Sequence, residues 1–490
     1  MRVAVIGGGL AGITAAIALA ETGAAVTLLE ARPRLGGATC SFTRDGLVVD
    51  TGQHVFLGCC TAYRGLLGRL GMTDRAPLQD RFDVTVLAPG PAGQVRRGRL
   101  RRTALPGPLH MLPALARYPF LSLTERSVVT RPALAMRRVD PADPVVDEQR
   151  FGDWLAARGQ DDRARRALWD LFTVSALNIA GDDASLALAA TVVKTGLLGR
   201  SNAADIGIPA LPLGELHGDA AATLLANLGA QVLIGAKVSA IDTDPKTPEN
   251  RDHDLAPGHP SRSRFRLRLA SDQALPAEMP ADAVVLAVPH EAAARLIPPG
   301  ALPDEAVAGW AGLGASPIVN VHVIYDRPVT DVPFAAAVDS PVQWVFDRTR
   351  ISGLDRSSAT KRQYLAISLS AADEYVDVPE ASLAGRFVPA LAGLFPAARD
   401  AQVTEFFVTR ERRATFRQAP GTGRLRPRAA TRLPGLVLAG AWTATGWPDT
   451  MEGAVRSGLT AAIELRKTVL GSQRTSTQPN VLTSTMGVRQ

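Results

Sequence analysis

The sequence has few cysteines and lacks long uninterrupted apolar runs. The three cysteines are Cys40, Cys59 and Cys60, an odd and low count that argues against a disulfide scaffold and favours a reducing cytoplasm. None of them stands in a CxxC pair or at a zinc-type spacing from histidine, so we expect no metal site. We interpret the adjacent Cys59 and Cys60 as small buried hydrophobic residues.

No apolar run reaches the roughly 18 residues that a membrane-spanning helix needs. Met1 leads directly into the first predicted strand, so we expect no signal peptide. The formal net charge is +7, and the arginines that supply most of it are spread along the chain rather than interleaved with aromatic residues. We therefore expect a cytoplasmic protein that binds no nucleic acid, and leave open a peripheral position on the inner face of the cell membrane.

The first 30 residues follow one pattern that runs from a strand to an acidic residue. Arg2–Ile6 is an apolar run of strand length, and Gly7-Gly8-Gly9-Leu10-Ala11-Gly12 follows it directly. An alanine-rich stretch with helical periodicity then leads to a second apolar run, Val26–Leu29, which ends at Glu30. The order predicts strand, glycine turn, helix, strand and acid.

Each glycine of this turn has a physical reason to be there. Gly7 permits the tight turn, Gly9 lets the backbone approach a pyrophosphate, and Gly12 lets the helix pack closely on the strand. The N-terminus of the helix offers free N–H groups and a positive dipole end to phosphates. Glu30 follows Gly12 by 18 residues, where a carboxylate accepts hydrogen bonds from a ribose. The segment therefore predicts a bound adenine dinucleotide.

Two further segments make FAD a better prediction than NAD. A second glycine pair, Gly36-Gly37, follows Ala31-Arg32-Pro33-Arg34-Leu35, as in flavoproteins of the glutathione-reductase and amine-oxidase type. Those proteins often have an arginine after the pair, where this chain has Ala38, so we expect Arg32 or Arg34 to cover the phosphate charge. Near the other end, a strand at Leu436–Gly440 precedes a helix that starts near Met451, whose N-terminus would point at the flavin pyrimidine.

The order of the remaining segments predicts two interleaved domains, and the length of 490 residues is too great for one core. The predicted fold class is α/β, a Rossmann-type, glutathione-reductase-like FAD-binding domain interleaved with an α+β substrate domain. The FAD-binding parts are 1–80, 206–295 and 413–470, the substrate-domain parts are 81–205 and 296–412, and 471–490 is a predicted disordered tail. A polar, proline-rich surface loop is predicted at 244–262.

Three stretches resemble the squalene-associated FAD-dependent desaturases, now understood as hydroxysqualene dehydroxylases, within the amine oxidase/phytoene desaturase superfamily. They are Asp50-Thr51-Gly52-Gln53-His54, Pro106-Gly107-Pro108-Leu109-His110 and the segment from Gly446 to Gly458. The resemblance covers residues 1–470 and implies an enzyme of squalene and hopanoid biosynthesis. Such an enzyme reductively removes the hydroxyl of hydroxysqualene, a long apolar isoprenoid. The electron donor is not identified by the resemblance. One departure is Ala441, where the family usually has an aspartate that contacts the ribityl chain.

The resemblance also implies roles for particular residues. His54 is the candidate proton donor, and Asp50 is expected to be structural. The candidate FAD-binding residues are Gly7, Gly9, Leu10, Ala11, Gly12, Glu30, Ala31, Arg32, Arg34, Gly36, Gly37, Gly52, Gln53, His54, Val238, Gly440, Ala441, Thr450, Met451, Glu452 and Ala454.

Several alternatives stay open at this point. An oxidative desaturase of a carotenoid precursor would use the same cofactor with the opposite electron flow, and a non-catalytic prenyl-binding carrier could share the fold. An amine oxidase is disfavoured because no aromatic pair flanking an amine can be assigned. The apolar stretch 105–123, followed by arginines between 126 and 138, fits either a segment that dips into a membrane surface or a buried helix of the substrate domain.

Overall fold

The structure is a computed structural model that describes residues 1–243, 264–270, 276–354 and 361–475. The predicted polar loop at 244–262 lies entirely outside the described residues, as does the predicted disordered tail 471–490 from residue 476 on, whereas residues 471–475 are helical.

Strands and helices are numbered here in chain order over the described residues. The strands are β1 (Arg2–Ile6), β2 (Ala25–Glu30), β3 (Ser41–Arg44), β4 (Leu47–Asp50), β5 (Phe56–Leu57), β6 (Asp83–Pro89), β7 (Val95–Arg101), β8 (Ile206–Gly207), β9 (Gln231–Ile234), β10 (Val238–Thr243), β11 (Phe265–Leu269), β12 (Glu278–Ala281), β13 (Ala283–Leu286), β14 (Ser316–Tyr325), β15 (Phe334–Ala337), β16 (Trp344–Asp347), β17 (Gln363–Leu369), β18 (Val403–Thr415) and β19 (Leu436–Leu438). The α-helices are α1 (Leu10–Ala20), α2 (Thr61–Arg69), α3 (Leu112–Ala116), α4 (Leu123–Val128), α5 (Thr130–Met136), α6 (Pro144–Asp147), α7 (Phe151–Ala156), α8 (Asp162–Ala164), α9 (Asp170–Leu177), α10 (Leu186–Gly196), α11 (Ala220–Asn227), α12 (His290–Leu296), α13 (Asp304–Gly309), α14 (Glu380–Leu394) and α15 (Met451–Thr475).

The first sheet is parallel and has five strands in the order β19-β13-β1-β2-β9. Strands from the beginning, middle and end of the chain therefore lie side by side, with Val5 opposite Leu28 on one flank and opposite Val285 on the other. Helices α1, α11 and α15 pack on one face of the sheet, and strands β10–β12 with α12 pack on the other, so the inner strands are almost wholly apolar, as expected for parallel strands buried on both faces. This is the predicted α/β fold.

The second sheet has seven strands in the order β18-β14-β17-β16-β15-β6-β7 and is antiparallel except between β15 and β6. Helix α14 packs on one face, and the helical region from α3 to α10 contributes to the core at β6, β15 and β16. Strand β18 continues to Thr415 and so extends past the predicted domain boundary at 412.

The helical region differs from its prediction in one respect. The periodicity of Phe151–Leu177 predicts continuous helix, but the chain forms α7, α8, a π-helical turn at Arg165–Trp169 and α9. Gly159, with a φ of 77°, ends the first of these pieces, because a left-handed residue cannot continue a right-handed helix. Among the described residues, none of the helices has the length and apolar character needed to cross a bilayer.

A buried ion pair joins the β3–β4 hairpin to the seven-stranded sheet. The guanidinium of Arg348, just after β16, donates to the carboxylate of Asp50 at the end of β4, and both side chains are less than one tenth exposed. Asp50 also accepts hydrogen bonds from Ser41 Oγ at 2.6 Å and from the Leu213 amide at 2.9 Å. Asp50 thus has the structural role that the sequence analysis expected.

Arg348→Leu should destabilise the protein by about 3–5 kcal/mol, because it leaves the buried Asp50 carboxylate without its counter-charge. Scanning fluorimetry should show a clearly lower unfolding temperature than for wild type. Arg412→Leu removes the same side chain from the exposed pair with Asp377 and should change that temperature little. Equal unfolding temperatures for the two variants would contradict the assignment.

Candidate flavin and substrate site

The glycine turn after β1 has the geometry that a pyrophosphate cradle requires. Gly7 has a φ of 109°, and a Cβ there would lie 2.3 Å from the carbonyl oxygen of Ala287. A Cβ on Gly12 would lie 1.8 Å from the carbonyl oxygen of Gly7. Around Gly9, by contrast, the nearest atom to such a Cβ is 3.9 Å away, on Gly37. At the N-terminus of α1, the chain therefore presents glycine backbone with no side chain over it.

The second glycine pair packs directly on the first. The Gly36 amide donates to the carbonyl oxygen of Gly8 at 2.8 Å, and a Cβ on Gly37 would lie 2.9 Å from the Cα of Gly9. The Glu30 carboxylate accepts from the amides of Gly8 at 2.6 Å and Arg32 at 2.8 Å. A carboxylate can accept about four hydrogen bonds, so Glu30 can still receive ribose hydroxyls.

The other predicted FAD-binding residues of the N-terminal and middle segments lie outside the glycine cradle. Ala31, Arg32 and Arg34 are exposed on the loop between Glu30 and the second glycine pair, and phosphate coverage by either arginine stays a prediction. Val238 opens β10 and packs in the apolar cluster that also holds Ile6 and Leu29.

The loop after β19 is held by a buried arginine. The guanidinium of Arg426 donates to the carbonyl oxygens of Ala441 at 2.9 Å and Thr443 at 2.6 Å. Desolvation lowers the pKa of Arg426 to about 10. The Gly440 amide donates to Ser457 Oγ at 2.9 Å, which ties the loop to α15. Backbone contacts therefore shape this loop, although Ala441 lacks a carboxylate.

A cavity of about 320 Å³ lies between the FAD-binding domain and the substrate domain, next to the second glycine pair and the start of α15. One part of its wall comes from the FAD-binding domain, and the other comes from β16, β17, β18 and α9. Phe334, Trp344 and Phe346 form an aromatic wall with ring centroids 6.1–6.4 Å apart. The remaining lining residues are Leu10, Gly36, Ala38, Thr39, Thr51, Gly52, Gln53, His54, Val55, Ser175, Ala176, Asn178, Ile206, Ile318, Ser368, Ser370, Glu411, Ala414, Thr415, Asp449, Thr450, Met451 and Ala454.

Glu452 has a different role from its predicted neighbours. Thr450, Met451 and Ala454 line the cavity, but the Glu452 side chain is fully buried elsewhere. Its carboxylate accepts from the amides of Ala62 at 3.1 Å and Tyr63 at 2.7 Å, at the N-terminus of α2. The side chain of Glu452 thus stabilises that helix, and only its backbone remains available to a cofactor.

His54, the predicted proton donor, lies in the cavity wall. Burial lowers its pKa, since desolvation penalises the charged ring. Behind it, Nε2 of His217 is 2.7 Å from the hydroxyl of Tyr63. A histidine with a lowered pKa has already lost its acidic proton near neutral pH, so His54 is better suited to orient a partner than to protonate one.

Asp449 is a cavity residue that the sequence analysis did not single out. Burial raises the pKa of its carboxyl to about 6, while the Phe416 amide, which donates to Oδ2 at 2.9 Å, and Arg426 oppose that shift. A contiguous sequence gives no sign of this environment, because Phe416 and Arg426 come from other loops.

These features fit a flavin dinucleotide. The glycine cradle leaves room for phosphates, Glu30 has spare acceptor capacity, and the N-terminus of α15 faces the cavity. Buried Gln53 Oε1 and His54 Nδ1 lack a hydrogen-bond partner among the described residues, as expected where a polar ring system binds.

Residues 10–465 match the model of the family described as flavin containing amine oxidoreductase. The chain belongs to this family. It is an FAD-dependent oxidoreductase, with the cradle, the C-terminal loop and the cavity arranged around one cofactor site. Its glycines, Glu30 and the α15 N-terminus are the residues that would hold FAD.

The chain is also similar over nearly its whole length to curated enzymes. It is 30% identical to hydroxysqualene dehydroxylase of Rhodopseudomonas palustris, over 94% of this chain and 96% of the relative. It is 27% identical to the enzyme of the same name from Sinorhizobium fredii, over 94% and 97%. Identity to zeta-carotene desaturase of Synechocystis is 25%, over 96% and 100%.

Solved structures share the fold at lower identity. Wild-type putrescine oxidase bound to putrescine has a TM-score of 0.66 at 20% identity, covering 95% of this chain and 99% of that one. An oxidoreductase from Methanosarcina mazei has a TM-score of 0.68 at 17% identity, covering 94% and 99%. These likenesses concern the fold alone.

Gly12→Ala should abolish FAD retention, because the added Cβ would lie 1.8 Å from the Gly7 carbonyl oxygen and force the cradle open. The flavin absorbance per mole of purified protein measures retention. Gly65→Ala in α2 adds the same methyl group where nothing lies within 4 Å, and should leave the yellow colour unchanged. A yellow Gly12→Ala protein would count against this cradle.

Proposed function

We propose that this protein reductively dehydroxylates hydroxysqualene to squalene. The observation that carries the proposal is a largely apolar cavity with an aromatic wall, which lies between the predicted FAD site and the substrate sheet. The similarity to hydroxysqualene dehydroxylases over almost the entire chain supports this substrate over the other lipids of the family.

The reaction suits the residues around the cavity. An allylic C–OH bond ionises to a delocalised cation when its oxygen is protonated and water is excluded. The faces of Phe334, Trp344 and Phe346 can stabilise a positive charge beside them. Trp344 is held in place by its indole N–H, which donates to Ser175 Oγ at 2.7 Å. When bound, reduced FAD supplies the hydride.

A second apolar cavity gives a long hydrocarbon room to extend. It measures about 180 Å³ and is lined by residues of α3, α5, α9 and α10, among them Leu112, Leu134 and Phe172. Phe172 faces this cavity, whereas Ser175 and Ala176, one turn later on α9, face the first. We propose that one end of the isoprenoid chain passes α9 and lies in the second cavity.

The strongest alternative is oxidative desaturation of a carotenoid precursor. It is supported by similarity to zeta-carotene desaturases and 15-cis-phytoene desaturases at 23–25% identity. A prenyl-binding carrier is a weaker alternative, because both FAD-binding segments are present in full.

Anaerobically reduced protein mixed with hydroxysqualene should reoxidise its flavin and release squalene, identified by mass spectrometry. Oxidised protein mixed with phytoene or zeta-carotene should leave the flavin oxidised. Reduction of the flavin by either carotene, with no squalene formed from hydroxysqualene, would replace this proposal with the desaturase alternative.

We further propose that the mouth of the second cavity rests on an anionic membrane surface, where the substrate enters. Leu109, Leu112 and Leu134 line that cavity and are also 46%, 38% and 59% exposed. Four exposed arginines on the same helical region could contact anionic headgroups, namely Arg117, Arg131, Arg137 and Arg138. The protein would then be peripheral rather than free in the cytoplasm.

The triple variant Leu109→Ser, Leu112→Ser, Leu134→Ser should lose most of its co-flotation with vesicles that contain anionic phospholipid, because it loses the apolar contact. Ile463→Ser changes another exposed apolar residue, 51% accessible on α15, and should float like wild type. Wild-type protein that stays at the bottom of the gradient would refute the membrane contact.

A further inference from the structure

We propose, on the basis of the proposed function, that Asp449 rather than His54 protonates the hydroxyl oxygen of the substrate. Asp449 lies two residues before α15 and lines the same cavity as Thr450 and Met451, which flank the FAD site. It also shares that cavity with the aromatic wall that would face a developing cation.

One hydrogen bond holds the Asp449 carboxyl, and a second holds the Asp449 backbone. The Phe416 amide donates to Oδ2 at 2.9 Å, and the Asp449 amide donates to Gln418 Oε1 at 3.0 Å. Gln418 is fully buried, and its side-chain amide donates to the Leu177 carbonyl oxygen at 2.7 Å. One backbone N–H does not saturate a carboxyl group, which keeps acceptor sites and its acid proton for a ligand.

The surroundings of Asp449 keep it protonated to a higher pH than an ordinary aspartate. Asp449 lines the cavity, and burial raises the pKa of its carboxyl to about 6. The charge of Arg426 opposes that shift, but the donors of Arg426 bind the carbonyl oxygens of Ala441, Trp442 and Thr443.

Among the described residues, two other titratable groups line the cavity, and His54 is the less suited to the role. Burial lowers the pKa of His54 and so removes its acid proton earlier than in a free histidine. Glu411 lies on β18 in the same wall. Asp50 is not a cavity residue, and its carboxylate is occupied by Arg348, Ser41 and Leu213.

The step balances in atoms and charge. The carboxyl proton of Asp449 moves to the hydroxyl oxygen, the C–O bond breaks with both electrons on oxygen, and water leaves. The allylic carbon becomes a cation, and Asp449 becomes a carboxylate that stabilises it through charge. When bound, reduced FAD would supply the hydride for that carbon, and a solvent proton restores the acid on Asp449.

The test uses FAD-loaded full-length protein, reduced anaerobically, with hydroxysqualene in single turnover. Asp449→Asn keeps an oxygen to accept from the Phe416 amide but has no acid proton, so the rate should fall at least 100-fold while FAD content stays normal. In wild type the rate should fall about tenfold for each pH unit above 6, and Asp449→Asn should lose that dependence. His54→Gln should retain it.

Asp170→Asn is the matched control. Asp170 is also a buried carboxyl whose pKa burial raises to about 6, but it does not line the cavity, so this variant should keep the wild-type rate and pH profile. A rate within threefold of wild type for Asp449→Asn, or a pH dependence lost in His54→Gln instead, would overturn the assignment.

Infrared difference spectroscopy gives a readout that needs no turnover. The protonated-carboxyl band that titrates near pH 6 should weaken in Asp449→Asn and in Asp170→Asn, each removing one component. If wild type makes no squalene, the proposed function fails, and this titration still decides whether Asp449 carries a proton. Absence of the Asp449 component would overturn the inference even if squalene is made.

Discussion

The first and last helices of the described chain pack so closely that a side chain cannot fit between them at one point. A Cβ on Gly458 of α15 would lie 2.3 Å from the carbonyl oxygen of Ala11 and 2.8 Å from the Cβ of Thr14, both on α1. This contact fixes the two helix N-termini relative to each other, one at the glycine cradle and one at the cavity. Strands β1 and β19, which precede α1 and α15, are each adjacent to β13. The sheet therefore also fixes the positions of the two helix N-termini.

Burial acts in opposite directions on the titratable groups around the cavity. It lowers the pKa of His54 and raises that of Asp449, so that both groups tend toward their neutral forms. Asp50, outside the cavity, forms an ion pair with Arg348 instead. Burial therefore leaves little charge on His54 and Asp449, whereas Glu411 also lines the cavity.

Local sequence patterns predicted the parts of the structure whose physics is local. The glycine turn, Glu30 and the C-terminal helix follow from backbone freedom, periodicity and the order of segments. Asp449 and Arg426 were missed because their environments come from distant loops. Glu452 was assigned by its place at the start of α15, but a carboxylate there can equally serve a neighbouring helix, and it caps α2.

The same arginine accounts for the tolerance of Ala441 and for the state of Asp449. Arg426 binds backbone carbonyl oxygens around Ala441, so the loop keeps its shape without a carboxylate at that position. The charge of Arg426 also lowers the pKa of Asp449, but burial raises that pKa more, to about 6. An aspartate at position 441 would have offered Arg426 a closer counter-charge, and the cavity would then contain a different balance of charge beside the flavin site.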